Sequence, residues 1–384
     1  MRNYPIAAAL GVLALTLAAA AVPGTAAATT RPVAGSASTL YVDNQMSGTV
    51  TPISVATKTP GKAIKAGSGP TNMEITPDGK TVYVVDSGAR VGTVTPISTA
   101  THTPGRPIKV GGAAYGAAIT PDGKTLYVAN ASTPGAVTPI STATNTAGKP
   151  IKVGKNPQFI TVTPDGKTAY VADLGSGTVT PISTATNTPG TPIKVGKVPQ
   201  WITVTPDGKT AYVANNGSGT VTPISTATNT PGKPIKVGSY PYAITITADG
   251  KTAYVACDGP GTVVPIATAT NTPGKPIKVG REPGVSMITP DGKTIYVTNG
   301  ASASVTPIST ATNTARKAIK VGGAPGAIAI TSDGKTLYVA GQASGTVTPI
   351  STATNTPGKP IKTGNTPWSI VCAPTVCRSS STAG

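Results

Sequence analysis

The sequence predicts an all-β chain folded as a β-propeller of eight four-stranded blades, with the ring closed by three N-terminal strands and one C-terminal strand. Three observations carry this prediction. First, one unit recurs along nearly the whole chain. It is marked by an Asp-Gly-Lys turn whose aspartates are Asp78, Asp122, Asp165, Asp207, Asp249, Asp291 and Asp333, at spacings of 44, 43, 42, 42, 42 and 42 residues. That period is the length of a propeller blade. Second, each unit holds four strand-like segments separated by turn residues. Third, the two chain ends start and stop out of phase with the unit.

The copy from Pro199 to Gly238 shows the elements in order. Pro199 to Thr205 alternates Ile202 and Val204 with threonine, the period of a half-buried strand. Pro206 to Lys209 makes a hairpin turn in which Gly208 suits a positive φ. Lys209 to Asn215 is the second strand, Thr220 to Ser225 the third, and Lys233 to Val237 the fourth, after the turn-rich Thr-Asn-Thr-Pro-Gly. A β-solenoid fits less well, because its coils are shorter and lack two hairpin turns per repeat. Second strands of Tyr-Val type begin at Tyr41, Tyr83, Tyr127, Tyr170, Tyr212, Tyr254, Tyr296 and Tyr338, which makes eight. The chain begins with a second strand at Leu40 and ends with a first strand at Trp368 to Cys372, so its two ends combine into the eighth blade. Pro96, Pro181, Pro223, Pro265, Pro307 and Pro349 occupy an interior-looking slot of the third strand. Proline cannot donate to a ladder, so either that strand bulges or the outer strand does not pair there.

Residues 1–28 read as a secretory signal peptide: Arg2, an apolar run from Ile6 to Val22 and small residues from Thr25 to Ala28. Pro23 and Gly24 end the apolar run, which argues against a spanning helix, and no second stretch of spanning length follows. A linker (29–37), the propeller (38–374) and a short tail (375–384) complete the chain, which is expected to be secreted or attached to the cell surface without a membrane span. In an exported chain a disulfide is permissible, and Cys372 and Cys377 are spaced for a small local loop that would pin the chain end. Cys257 is left over and reads as a small, partly buried thiol. The sole histidine, His102, lies in a different kind of loop, which argues against a Cys-His nucleophile.

The segments YVDN, YVVD, YVAN, YVAD and YVTN, followed by GTVTPISTATNTPGKPIKVG and then PDGK, resemble the YVTN family of β-propeller repeat proteins. The resemblance covers nearly the whole mature chain. It implies a secreted or surface-associated propeller, often seven-bladed in that family, with no single shared activity; eight blades depart from that number.

Blade turns alternate between the two ends of the ring. The Asp-Gly-Lys end is a nearly copied surface, whereas the connections at the other end differ from unit to unit. Tyr115, Phe159, Trp201, Tyr240, Tyr242 and Trp368 fall there, beside Lys155, Lys197, Arg281, Gln158 and Gln200. Rings next to amides and cations suit the binding of a sugar, an aromatic ligand or a peptide; equally, the rings could fill gaps between blades or plug the channel mouth. The expected function is therefore a secreted, non-enzymatic binding module or scaffold presenting this face to an extracellular or cell-envelope glycan or protein. The competing reading is a lactonase-like propeller hydrolase or lyase with a metal or acidic site at the channel mouth. A third is a self-associating surface-coat component.

The net charge of +18 suggests a polyanion, but the lysines cluster on the outermost strands, where they block edge-to-edge association. An anionic wall polymer remains a non-specific partner, and nucleic acid is excluded for want of a binding motif. Of thirteen acidic residues, seven belong to the repeated turns. Asp86 and Asp173 share a slot with Asn130, Asn215 and Asn299, which reads as a loop-capping position. Glu74, with Asp43, Asp86 or Asp173, could hold a hard cation such as calcium; otherwise no cofactor is expected. No Ser-His-acid or CxxC constellation appears, and one histidine rules out multi-histidine metal sites.

Overall fold

The structure is a computed structural model that describes residues 38–88, 91–132 and 134–373, together with the backbone of 377–379. The expected signal peptide and linker, and most of the tail, lie outside the described residues. Within them the chain forms eight antiparallel sheets, one per blade, and two single-turn 3-10 segments, Gln45–Ser47 and Asn216–Ser218. The innermost strands stand side by side in a closed ring, each touching the next, and the last, Pro367–Ala373, touches the first, Pro70–Ile75.

The eighth blade combines Pro367–Ala373, as innermost strand, with Thr39–Asn44, Thr49–Ser54 and Ile64–Lys65. Its seam has its own chemistry. The ladder between Thr39–Asn44 and Pro367–Ala373 shifts register between Val42 and Asn44, leaving the amides of Trp368 and Ser369 without a strand partner. Asp43 takes both: its Oδ1 accepts from Trp368 N at 3.1 Å and from Ser369 N at 2.5 Å, and its Oδ2 accepts from the Ser369 hydroxyl at 2.9 Å. Asn44 Oδ1 accepts from Gly364 N and Ser47 Oγ from Asn365 N, at 2.8 and 2.7 Å.

The third-strand prolines are accommodated by a break in the outer strand. In six blades the outermost strand consists of two two-residue pieces, such as Thr188–Pro189 and Ile193–Lys194, both paired to the third strand. Pro181 sits opposite the break, and its carbonyl accepts from Gly190 N at 2.7 Å. In an antiparallel strand a residue's N–H and C=O point the same way. The missing donor of Pro181 therefore faces outward, where the strand is interrupted, and the inner ladder loses nothing.

Adjacent blades pack through valine, isoleucine and leucine side chains, and at each boundary a tyrosine adds a directed bond. The eight Tyr-Val tyrosines are fully buried as residues. Six of their hydroxyls donate to an asparagine Oδ1 in the third-to-fourth turn of the next blade, at 2.6–2.8 Å, Tyr212 to Asn271 being one. Those asparagines have φ between 52° and 55°. The left-handed region costs a β-carbon residue about 1–2 kcal/mol, and asparagine tolerates it best. At the two boundaries beside the seam, His102 and Lys58 hold the same conformation, with φ of 56° and 57°. Tyr41 meets His102 Nδ1 at 3.0 Å, and Tyr338 donates to the Val55 carbonyl at 3.4 Å. The sole histidine is thus a boundary residue.

Two predictions follow from these contacts. Tyr212→Phe should cost about 1 kcal/mol, and Asn271→Ala should cost more than Asn271→Gly because only alanine adds strain at positive φ; urea denaturation of the three variants checks the order. For Asp43, burial pushes the carboxyl from 3.8 to about 7, against the lowering pull of the Ser369 and Trp368 hydrogen bonds. The folded state then binds more protons than the unfolded state between those values. The contribution of Asp43 to stability is full below about 3.8 and is lost as pH rises towards 7. Wild type should therefore lose on the order of 2–4 kcal/mol relative to Asp43→Asn across that window; parallel pH-dependent denaturation of both proteins, showing equal profiles, would contradict this.

Candidate active site in the inner ring

Every innermost strand shifts register near its start, as between Pro199 and Trp201. Such a bulge re-aims the side chains around it. It sits at the end of the ring that carries the variable connections, and it places Thr71, Tyr115, Gln158, Gln200, Tyr242 and Trp368 at comparable points around the mouth.

Three of the expected aromatics come together across successive blades. The Phe159 and Trp201 rings lie 4.4 Å apart at 34°, and the Trp201 and Tyr242 rings 6.4 Å apart at 46°. Phe159 and Trp201 are buried and Tyr242 is half-buried, packed against the same core. Most of the surface of these two rings therefore joins blades rather than meeting solvent. Tyr115 is half-buried and Tyr240 is exposed, and neither joins this ladder. Lys155, Lys197 and Arg281 lie exposed on the connecting loops, where their backbone amides donate to Ser176, Ser218 and Ser302. Gln200 is half-buried and Gln158 buried.

Unsatisfied polar atoms gather on the innermost strands from Pro367–Ala373 round to Pro157–Val162, where they meet the aromatic ladder. Among the described residues, Thr71 Oγ1, Asn72 Oδ1, Glu74 Oε1, Gln158 Oε1 and Trp368 Nε1 are buried on innermost strands without a hydrogen-bond partner. A buried polar atom left unpaired costs about 1–3 kcal/mol, so a concentration of them marks a place where something else is to be bound. Three belong to one strand, Pro70–Ile75, and its two flanking positions, Asn72 and Glu74, share a face of that strand.

Glu74 is the key group. It pairs with Tyr83, as Thr245 pairs with Tyr254 four blades on. Thr245 spends its hydroxyl on Ser286 of the following blade, at 2.8 Å. The residue matching Ser286 in the blade after Glu74 is Ala117, since both pair with the valine of their Tyr-Val strand. Opposite Glu74 the wall is therefore alanine. Burial without compensation drives its carboxyl well above the ordinary carboxylate range. Beside Ala117, Gly116 lies so close to the Gln158 carbonyl that no Cβ would fit.

Two other distinctive carboxylates have partners, although Asp173 Oδ1 is buried without one. Asp86 accepts from the amides of Ser68, Gly69 and Gly88, and Asp173 from the hydroxyls of Thr178 and Thr180. No group of three or more histidine, cysteine, aspartate or glutamate side chains gathers among the described residues. Sequence reasoning singled out Glu74 but missed Thr71 and Asn72. The available signal was Asn72 itself, a polar residue in the slot that holds Phe159 and Trp201 elsewhere.

Comparison with known proteins now bears on this ring. The model of the family described as lactonase, 7-bladed beta-propeller, matches residues 54–367. The chain belongs to that family. The match contains all seven blades that are continuous in sequence, while most of the eighth, built from the chain ends, falls outside it. The YVTN resemblance agrees with it at the level of the β-propeller. The expectation of a non-enzymatic binding module is overturned by this membership: the aromatic connections that suggested it are in large part packing between blades.

No curated protein matches in sequence. Among solved structures, the dihydro-heme d1 dehydrogenase NirN is similar at 15% identity over 87% of this chain and 74% of its own, with a TM-score of 0.73. The periplasmic gluconolactonase PpgL of Pseudomonas aeruginosa matches at 17% identity over 88% and 100%, with a TM-score of 0.62. A putative 6-phosphogluconolactonase of Bacteroides fragilis matches at 18% over 90% and 100%, also at 0.62. At these identities the likeness is one of fold. No helix among the described residues is long and apolar enough to cross a membrane.

The cysteines divide as follows. Cys372 is disulfide-bonded, and the side chain of its expected partner, Cys377, lies outside the described residues. Cys257 is a free, buried thiol that donates to the Val237 carbonyl at 3.4 Å, and burial pushes it up to about 12. A thiol of this kind is unreactive. Ellman's reagent should therefore find no fast-reacting thiol in the native, oxidised protein and one after denaturation; rapid native labelling would contradict this environment.

Proposed function

We propose that the protein is a lactone hydrolase whose reaction takes place in the inner ring, with Glu74 as the acid. The observation that carries this reading is the buried, unpartnered carboxyl of Glu74 beside Asn72, in a chain of the lactonase family. Held protonated by burial, Glu74 donates its proton to the ring oxygen as the acyl C–O bond of the lactone breaks. Water adds its hydroxyl to the carbonyl carbon and its remaining proton restores Glu74. The product is the open hydroxy acid. Asn72, Thr71 and Gln158 offer hydrogen bonds to a polyhydroxylated substrate, and Trp368 Nε1 a further donor. Sugar lactones suit such a lining, and two of the structural neighbours bear gluconolactonase names. An exported enzyme, as the N-terminal segment suggests, would meet such substrates outside the cytoplasm.

The test is hydrolysis of glucono-δ-lactone and its 6-phosphate in a pH-stat, corrected for the spontaneous rate. Glu74→Gln should lower kcat about 10²–10⁴-fold, the usual worth of a positioned acid, with a smaller change in KM. Because the acid form is the active one, wild-type kcat should fall as pH rises through the raised Glu74 pKa. Unchanged kcat in a folded Glu74→Gln protein would overturn the assignment.

A further inference from the structure

The outer edges of the blades carry a second, independent pattern. Each third-to-fourth connection ends in a Lys-Pro-Ile-Lys segment or a close variant, such as Lys149 to Lys152 and Lys233 to Lys236. Seven of these segments bear two cations and the one with Thr191 bears one, giving fifteen, all exposed. No acidic residue falls in any of these connections. Among the described residues the ion pairs are those of the seven Asp-Gly-Lys turns, at the end of the ring. The charge of the rim is therefore uncompensated.

Protection against edge pairing does not require so much. The outer strands are already two-residue fragments, interrupted by proline and by the break opposite the third-strand proline, which makes them poor templates. One lysine per edge would complete that role, and the chain supplies nearly twice as many. These cations also flank a recess. Between two neighbouring blades a groove of about 450 Å³ is lined by Lys149, Lys152, Thr186, Asn187, Pro139 and Pro189. The outer strand of one blade touches that of the next around most of the ring, so the elements of this groove repeat from boundary to boundary.

The geometry points to a polyanion-binding rim: a flexible linear polymer bearing closely spaced phosphate or carboxylate groups lies across successive inter-blade grooves, each engaging a Lys-Pro-Ile-Lys segment. One groove holds an anionic group weakly at physiological salt, because exposed charges are screened beyond about 8 Å. Several grooves engaged by one chain bind as a multivalent unit, so affinity grows with polymer length. This inference does not depend on the reaction in the inner ring.

The experiment uses the whole protein at about 0.15 M salt, with long-chain inorganic polyphosphate, polygalacturonate and pyrophosphate as probes. Binding to a long polymer at least tenfold tighter than to pyrophosphate is expected, with affinity falling steeply as salt rises. A rim variant with Lys149, Lys152, Lys233, Lys236, Lys275 and Lys278 changed to Gln should lose at least tenfold. A control with Lys80, Lys124, Lys167, Lys209, Lys251 and Lys293 changed to Gln has the same net charge and should stay within threefold of wild type. Both variants are checked for a Tm close to wild type: the rim lysines make no ion pair among the described residues, and the pairs of the control lysines are exposed and worth little. Binding to one polymer alone supports the rim and assigns the anionic group. Equal weakening in the two variants, which would make net charge the cause, or no binding to either polymer, overturns it.

Discussion

A tyrosine hydroxyl reaching across each blade boundary is the constraint on which the rest of the ring depends. Apolar packing between blades is strong but non-directional, and it would tolerate sliding of one flat sheet over the next. The hydroxyl fixes the slide, because it must meet acceptors in one neighbouring turn, the nearer being a side-chain oxygen and the farther a threonine carbonyl. The residue bearing the nearer acceptor must sit in a left-handed conformation, which selects asparagine at six boundaries. Once tyrosine and turn are fixed, the length of chain between them is fixed as well, and the near-constant 42-residue spacing follows. The repeat is a record of this geometry.

What repeats was therefore legible in the sequence. The blade number, the four strands, the Asp-Gly-Lys turns with Gly208 at φ 73° and the seam between chain ends all follow from local signals repeated many times. The seam's chemistry was not legible. Asp43 meets Trp368 and Ser369 across more than three hundred residues, and it is needed only because the ladder shifts register there. The third-strand prolines posed a question that sequence left open, because the answer lies in which side of the strand lacks a donor. His102, which the sequence set apart from any nucleophile by its loop, proves to stand in for asparagine beside the seam.

The functional reading failed where it took variation to mark a binding face rather than its stated alternative, packing between blades. Phe159 and Trp201 differ from their counterparts in other units, yet they are buried, and their difference serves packing. Thr71 and Asn72 depart from the repeat as well, but towards polarity, which leaves atoms unpaired. A departure that adds apolar volume can be absorbed by the core. One that buries an unpaired polar atom costs stability; others lie singly on second and third strands, at Thr95, Asn130, Asp173 and Thr262, but three on one innermost strand mark a place where a ligand or a reaction repays the cost.

The eighth blade gives this asymmetry a physical basis. Propellers set their blades radially around a central channel, and adding a blade to a seven-bladed plan moves the innermost strands outward. The space gained must be filled, lined or left to water. On one side of the ring Phe159, Trp201 and Tyr242 fill it, each ring against the next. On the other, Glu74 faces the alanine wall of the following blade, and Asn72, Thr71 and Trp368 keep polar atoms free. The polar side adjoins the blade closed by both chain ends, so the strand carrying Glu74 packs directly against Pro367–Ala373 and takes its position from the Asp43 seam. The pairing that closes the ring thereby also sets the geometry of its acid.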